Sequence, residues 1–105
     1  MIIALPDSMM TRADRLRLES FAAHLVAHGC AARWDWQRQR GLDMTLHLYK
    51  GRTDREPMVY FRRSRAERAF SARDAAGRVI AQGDLPHVLT VVDRFARLYG
   101  DTFRA

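Results

Sequence analysis

Between Thr11 and His28 the apolar residues Leu18, Phe21, Ala22, Leu25 and Val26 recur three and four apart, which aligns them on one stripe of a helix. Asp7, Ser8 or Thr11 can cap its start, the Thr11 to Asp14 spacing is that of a capping box, and Gly29 falls where a left-handed residue closes a helix. From Ala31 onward the period shortens towards two. Trp34 and Trp36 alternate with Arg33, Asp35 and Gln37, and Met44, Leu46 and Leu48 alternate with Thr45, His47 and Tyr49; this predicts two strands about a turn at Gly41-Leu42-Asp43. Lys50 to Pro57 reads as a polar connection, and Met58 to Arg63 as an aromatic and β-branched third strand. Glu67 to Arg73 and Arg78 to Ala81 read as a fourth and a short fifth strand joined by a hairpin turn at Asp74-Ala75-Ala76-Gly77. A second helix opens at Gly83-Asp84-Leu85-Pro86, with Asp84 as its cap. It runs to about Gly100 along the stripe Val88, Leu89, Val92, Phe95, Ala96 and Tyr99.

Helix, antiparallel meander of four or five strands, helix is the pattern of an α+β two-layer sandwich, with both helices packed on one sheet face so that their stripes are buried together. A chain of 105 residues, 48% hydrophobic and 29% charged, without repeats or linkers, fits one domain spanning 1–105 with one core. Cys30 is the sole cysteine and can form no internal disulfide, so the expected compartment is the cytoplasm. The apolar run Met1-Ile2-Ile3-Ala4-Leu5 lacks a basic lead and stops at Pro6-Asp7, too short for a signal core or a membrane span. No membrane association is expected.

Charge adds the first hint of a partner. The net charge is +6, and the excess sits in the middle of the chain: residues 31–78 hold 12 Lys or Arg against 6 Asp or Glu, while the flanking segments balance. Nearly every cation is arginine, a skew that a GC-rich coding genome produces by itself, so placement carries more weight than identity. Lys50, Arg52 and Arg55 share one loop, and Arg62, Arg63, Arg65 and Arg68 follow in and after the third strand. Such a cluster can neutralise several phosphates, although Asp54, Glu56 and Glu67 are interleaved and can pair with it. If Leu46, Leu48, Val59, Phe61 and Phe70 face the core, alternation turns His47, Tyr49, Met58, Tyr60, Arg62, Ser71 and Arg73 towards solvent. Tyr49, Tyr60 and His47 then form a candidate stacking platform for bases, beside Lys50, Arg52, Arg55, Arg62, Arg63 and Arg65 as candidate phosphate ligands. The same residues also suit the ordinary solvent face of an antiparallel sheet. His47, among arginines, is expected to resist protonation.

Trp34 and Trp36 share one strand face, as core residues do. If that strand is an edge, they and the flanking Arg33 and Arg38 suit a protein interface. His24 and His28 lie four apart with Cys30 two further on, a spacing open to a metal but without a second ligand cluster, and no metal or other cofactor is expected. No nucleophile elbow, paired-carboxylate site or Gly-rich phosphate loop is present, so no catalytic residue is assigned. The helix, antiparallel sheet, helix order is similar to the double-stranded RNA-binding domain. That family grips phosphates with a lysine-rich start to its last helix, where this chain has Gly83-Asp84-Leu85-Pro86-His87-Val88, so no residue is carried over. The expectation is a small non-catalytic module that binds nucleic acid, DNA or RNA, through residues 31–78. The alternative is an adaptor or inhibitor for an acidic protein surface, acting as a monomer or a homodimer.

Overall fold

A computed structural model describes residues 10–38, 44–64 and 69–104. The apolar run Met1 to Leu5, the alternative caps Asp7 and Ser8, the turn Gly41-Leu42-Asp43, and Arg65, Glu67 and Arg68 lie outside them. The element order is α1 (Arg12–Ala27), β1 (Arg33–Arg38), β2 (Met44–Tyr49), β3 (Val59–Ser64), β4 (Ala69–Arg73), β5 (Val79–Gly83) and α2 (Leu85–Arg104). The five strands form one antiparallel sheet in sequence order, β1-β2-β3-β4-β5. This is the expected α+β layout.

Local chemistry sets the helix ends. Thr11 Oγ1 accepts from the Asp14 N–H and the Asp14 carboxylate accepts from the Thr11 N–H, both at 3.1 Å, which closes the capping box. After Ala27 the chain leaves through a Schellman motif: Cys30 N–H reaches Leu25 C=O at 2.8 Å and Gly29 N–H reaches Val26 C=O at 3.1 Å, with Gly29 at φ 76°. Asp84 caps α2 by accepting from the His87 N–H at 3.0 Å. The β4–β5 turn is held by Asp74, whose carboxylate accepts from the N–H groups of Ala76 and Arg78. The bond from the Arg78 N–H is the main reason the Asp74 carboxyl titrates below its ordinary range.

One face of the sheet carries the core. Leu46, Leu48, Val59, Phe61, Phe70, Ala72 and Ala81 meet Leu18, Ala22 and Leu25 of α1 and Leu85, Val88, Val92 and Ala96 of α2, all buried. Phe21 stands edge-on to Phe61, with ring centroids 6.1 Å apart. Trp34 and Trp36 pair with Leu48 and Leu46, so both indoles point to the helix side, half-buried against the core. Two strand expectations need adjustment. Met58 precedes β3, is not governed by its alternation, and is buried where solvent exposure was expected. Between β4 and β5 the register shifts at Ala72/Arg73, so that Arg73 lies opposite Val79 and Ala72 opposite Ala81, and Ile80 becomes the extra residue of a bulge.

Candidate functional site

The sheet face away from the helices is polar. Register places Arg33, Asp35 and Gln37 of β1 beside Tyr49, His47 and Thr45 of β2, then Tyr60 and Arg62 of β3 beside Arg73 and Ser71 of β4. Asp35 is a hub on this face, accepting from Arg33 Nη1 at 3.2 Å, Gln37 Nε2 at 3.0 Å and the Tyr49 hydroxyl at 3.3 Å. Arg33 does more than pair with it. Its Nε and Nη2 donate to the carbonyls of Arg52 at 3.0 Å and Asp54 at 2.8 Å, and its guanidinium lies 3.7 Å from the Tyr49 ring centre. The β2–β3 loop is thereby tied to the open face.

These contacts correct part of the stacking platform. Tyr49 is buried under Arg33 and its hydroxyl is spent on Asp35, so it supports the surface from beneath instead of offering a ring to solvent. Ser71 also faces this side, between Arg62 of β3 and Gln82 of β5, yet is only 1% exposed. His47 and Tyr60 do come together, half-exposed and stacked with centroids 5.5 Å apart at 30°. His47 Nε2 lies 2.8 Å from Thr45 Oγ1. Its pKa is lowered as expected, but the main cause is burial and not neighbouring arginines, and Asp35 opposes the shift.

The candidate phosphate ligands fall in two places. Lys50, Arg52 and Arg55 share the β2–β3 loop, at the end of the meander that also holds the β4–β5 turn. Between loop and turn lies an open cavity of about 390 Å³ lined by Lys50, Asp54, Arg55, Glu56, Pro57, Met58 and Ala75. Arg62 stands on the open face opposite Ser71, whereas Arg63 stands opposite Phe70 on the helix side, its guanidinium 6.0 Å from that ring. Ion pairs of the described residues engage Arg33, Arg78 and Arg97 and leave Lys50, Arg52, Arg55 and Arg62 unpaired. The interleaved Asp54 accepts instead from the Gly51 N–H at 2.8 Å.

The proposed tryptophan interface divides between two sides. Arg33 is on the open face, while Trp34 and Trp36 face the helices and Trp36 Nε1 donates to Glu19 at 3.0 Å; Arg38, at the end of β1, is exposed. Beside Trp36 a groove of about 330 Å³ is lined by Arg12, Arg15, Leu16, Glu19 and Met44. His24 and His28 are both exposed with rings 4.2 Å apart, Cys30 is buried, and no group of three or more His, Cys, Asp or Glu is placed for a metal among the described residues. None of their helices is long and apolar enough to cross a membrane. Sequence reasoning missed the roles of Asp35, Ser71 and Arg73, which become visible only when the cross-strand register is known. Comparison with protein-family models, curated proteins and solved structures gives no match.

Proposed function

We propose that this protein is a non-catalytic module that binds nucleic acid across the open sheet face and the β2–β3 loop. The observation that carries this reading is the company of the His47–Tyr60 stack: cations of the loop and of β3 that are unpaired among the described residues, Lys50, Arg52, Arg55 and Arg62. An unpaired guanidinium or ammonium has its donors free for phosphate oxygens, and an exposed ring supplies a surface that any base can meet. Arg33 supports the reading by holding the loop against the sheet, so less ordering is left for the moment of binding.

The test is fluorescence anisotropy of labelled DNA and RNA titrated with the protein at about 50 and 200 mM salt. If the loop cations and Arg62 neutralise about four phosphates, a fourfold rise in salt lowers single-strand affinity roughly 50-fold by counterion release. Replacing Arg52 and Arg62 by Glu abolishes most of the binding and flattens the salt dependence. Absence of binding at low salt would refute the proposal. One observation favours a second reading, an acidic protein partner: Arg12 and Arg15 flank the half-buried Trp36 and the exposed Leu16 in the groove between α1 and β1. An acidic peptide with an apolar anchor matches that lining.

A further inference from the structure

Two polar atoms on the open face are buried without a hydrogen-bond partner: Ser71 Oγ and Arg73 Nε. They belong to neighbouring outward positions of β4, opposite Arg62 and Tyr60 of β3. A buried polar group without a partner costs about 1–3 kcal/mol, and such pairs are few in folded proteins. Both atoms can donate, so the group that would satisfy them is an acceptor such as a phosphate or carbonyl oxygen. Arg73 spends Nη1 on the Gly77 carbonyl at 3.3 Å, which fixes its guanidinium near the β4–β5 turn. The Tyr60 hydroxyl lies at the same turn, 4.0 Å from where a Cβ on Gly77 would stand. Ring, cations and buried donors thus occupy two adjacent outward pairs of the β3–β4 ladder, Tyr60 with Arg73 and Arg62 with Ser71.

We propose that Tyr60, Arg62, Ser71 and Arg73 form a subsite for one unpaired nucleotide, making the ligand a single strand and not a duplex; this rests on the nucleic-acid reading above. A base stacks on the half-exposed Tyr60 ring, backed by His47, and its phosphate is held by Arg62 while its acceptor oxygens meet Ser71 and Arg73. Because both atoms are buried, reaching them requires the surrounding side chains to shift. A duplex keeps its bases stacked inside and can offer this spot only phosphates, so the aromatic ring contributes nothing to duplex binding.

The experiment compares a labelled oligo(U) strand of about 12 nucleotides, within the usual range of single-strand sites, with the same strand annealed to its complement. Each is titrated with the wild type, Tyr60→Leu and Ser71→Ala, and the variants' melting temperatures are recorded. The single strand is expected to bind at least about tenfold tighter than the duplex. Tyr60→Leu should weaken single-strand binding by about 5- to 150-fold, the worth of one stacked base, and leave the duplex unchanged. Ser71→Ala should weaken it about three- to tenfold while the melting temperature stays level or rises, because an unpartnered buried hydroxyl is removed, which keeps the proposal testable even if Tyr60→Leu unfolds. Equal affinity for strand and duplex, with neither variant altering it, would overturn the subsite and leave the surface as a general polyanion contact. Absence of binding in both forms would overturn the subsite together with the reading beneath it.

Discussion

One guanidinium, that of Arg33, ties β1 to β2 and to the β2–β3 loop through two backbone carbonyls, the Asp35 carboxylate and the Tyr49 ring. Its planar fork addresses these partners together, which a lysine ammonium on a flexible stem does not. Arg33→Lys is therefore expected to cost about 1–2 kcal/mol in urea denaturation, since it loses charged hydrogen bonds that are partly solvent-exposed. If the midpoint in urea does not move, the clamp has no structural weight. His47 adds a pH dependence of definite sign. Burial lowers its pKa in the fold below the ordinary 6.5, so between these two values the unfolded chain binds the proton more readily. Stability contributed by neutral His47 is thus complete above pH ~6.5 and is lost as pH falls towards the folded-state value. Melting temperatures from pH 7.5 to 5 should fall less steeply in His47→Gln than in the wild type, and parallel curves would exclude His47 as the source.

At the level of elements, the caps and the sheet turns decide where each segment stops. Gly83 joins β5 to α2 at φ 144°, and a Cβ there would stand 3.3 Å from His87 Cδ2. Gly83→Ala is expected to destabilise by about 1–3 kcal/mol through backbone strain and crowding. Thr11→Ala should cost about 0.5–2 kcal/mol, because it removes one half of the capping box. Thermal unfolding of both variants measures these costs, and a Gly83→Ala protein as stable as the wild type would show that the junction relaxes freely. The same elements show what a sequence can reveal. Both helices and the first strands are legible because they combine a local period with a recognisable cap or turn residue, as at Thr11, Gly29 and Asp84, whereas the count stays at four or five because the short run Arg78 to Ala81 has no alternation of its own and is marked chiefly by the turn at Gly77. The Ile80 bulge and the burial of Met58 are not legible, because both arise where a strand's alternation is interrupted by pairing or by a loop. Tyr49 misleads for another reason: alternation assigns its face correctly, but its cover comes from Arg33, a neighbour across the sheet.

Across the whole molecule, the candidate site depends on where charge stands more than on how much there is. The chain carries +6, and a polyanion attracted by net charge alone would respond to the loss of any two arginines equally. Lys50, Arg52 and Arg55 share a loop held onto the open face by Arg33, whereas Arg12 and Arg15 line the groove between α1 and β1. The charge excess of the central segment is legible in the sequence and alternation already turns Arg62 outward, but that Arg63 stands opposite Phe70 and Arg62 opposite Ser71 emerges only from the register of β3 against β4. Two double variants exploit this layout. Arg52→Glu with Arg55→Glu and Arg12→Glu with Arg15→Glu change the net charge by the same amount, on exposed or half-exposed side chains whose loss leaves the core intact. In anisotropy titrations at about 50 mM salt, the loop variant should lose tenfold or more in affinity for nucleic acid while the α1 variant loses roughly threefold or less, the difference being the worth of direct phosphate contacts over a screened field. Equal losses would mean that no localised interface exists. A loss confined to the α1 variant would move the nucleic-acid contact to the groove beside Trp36, and with it the role now given to the loop.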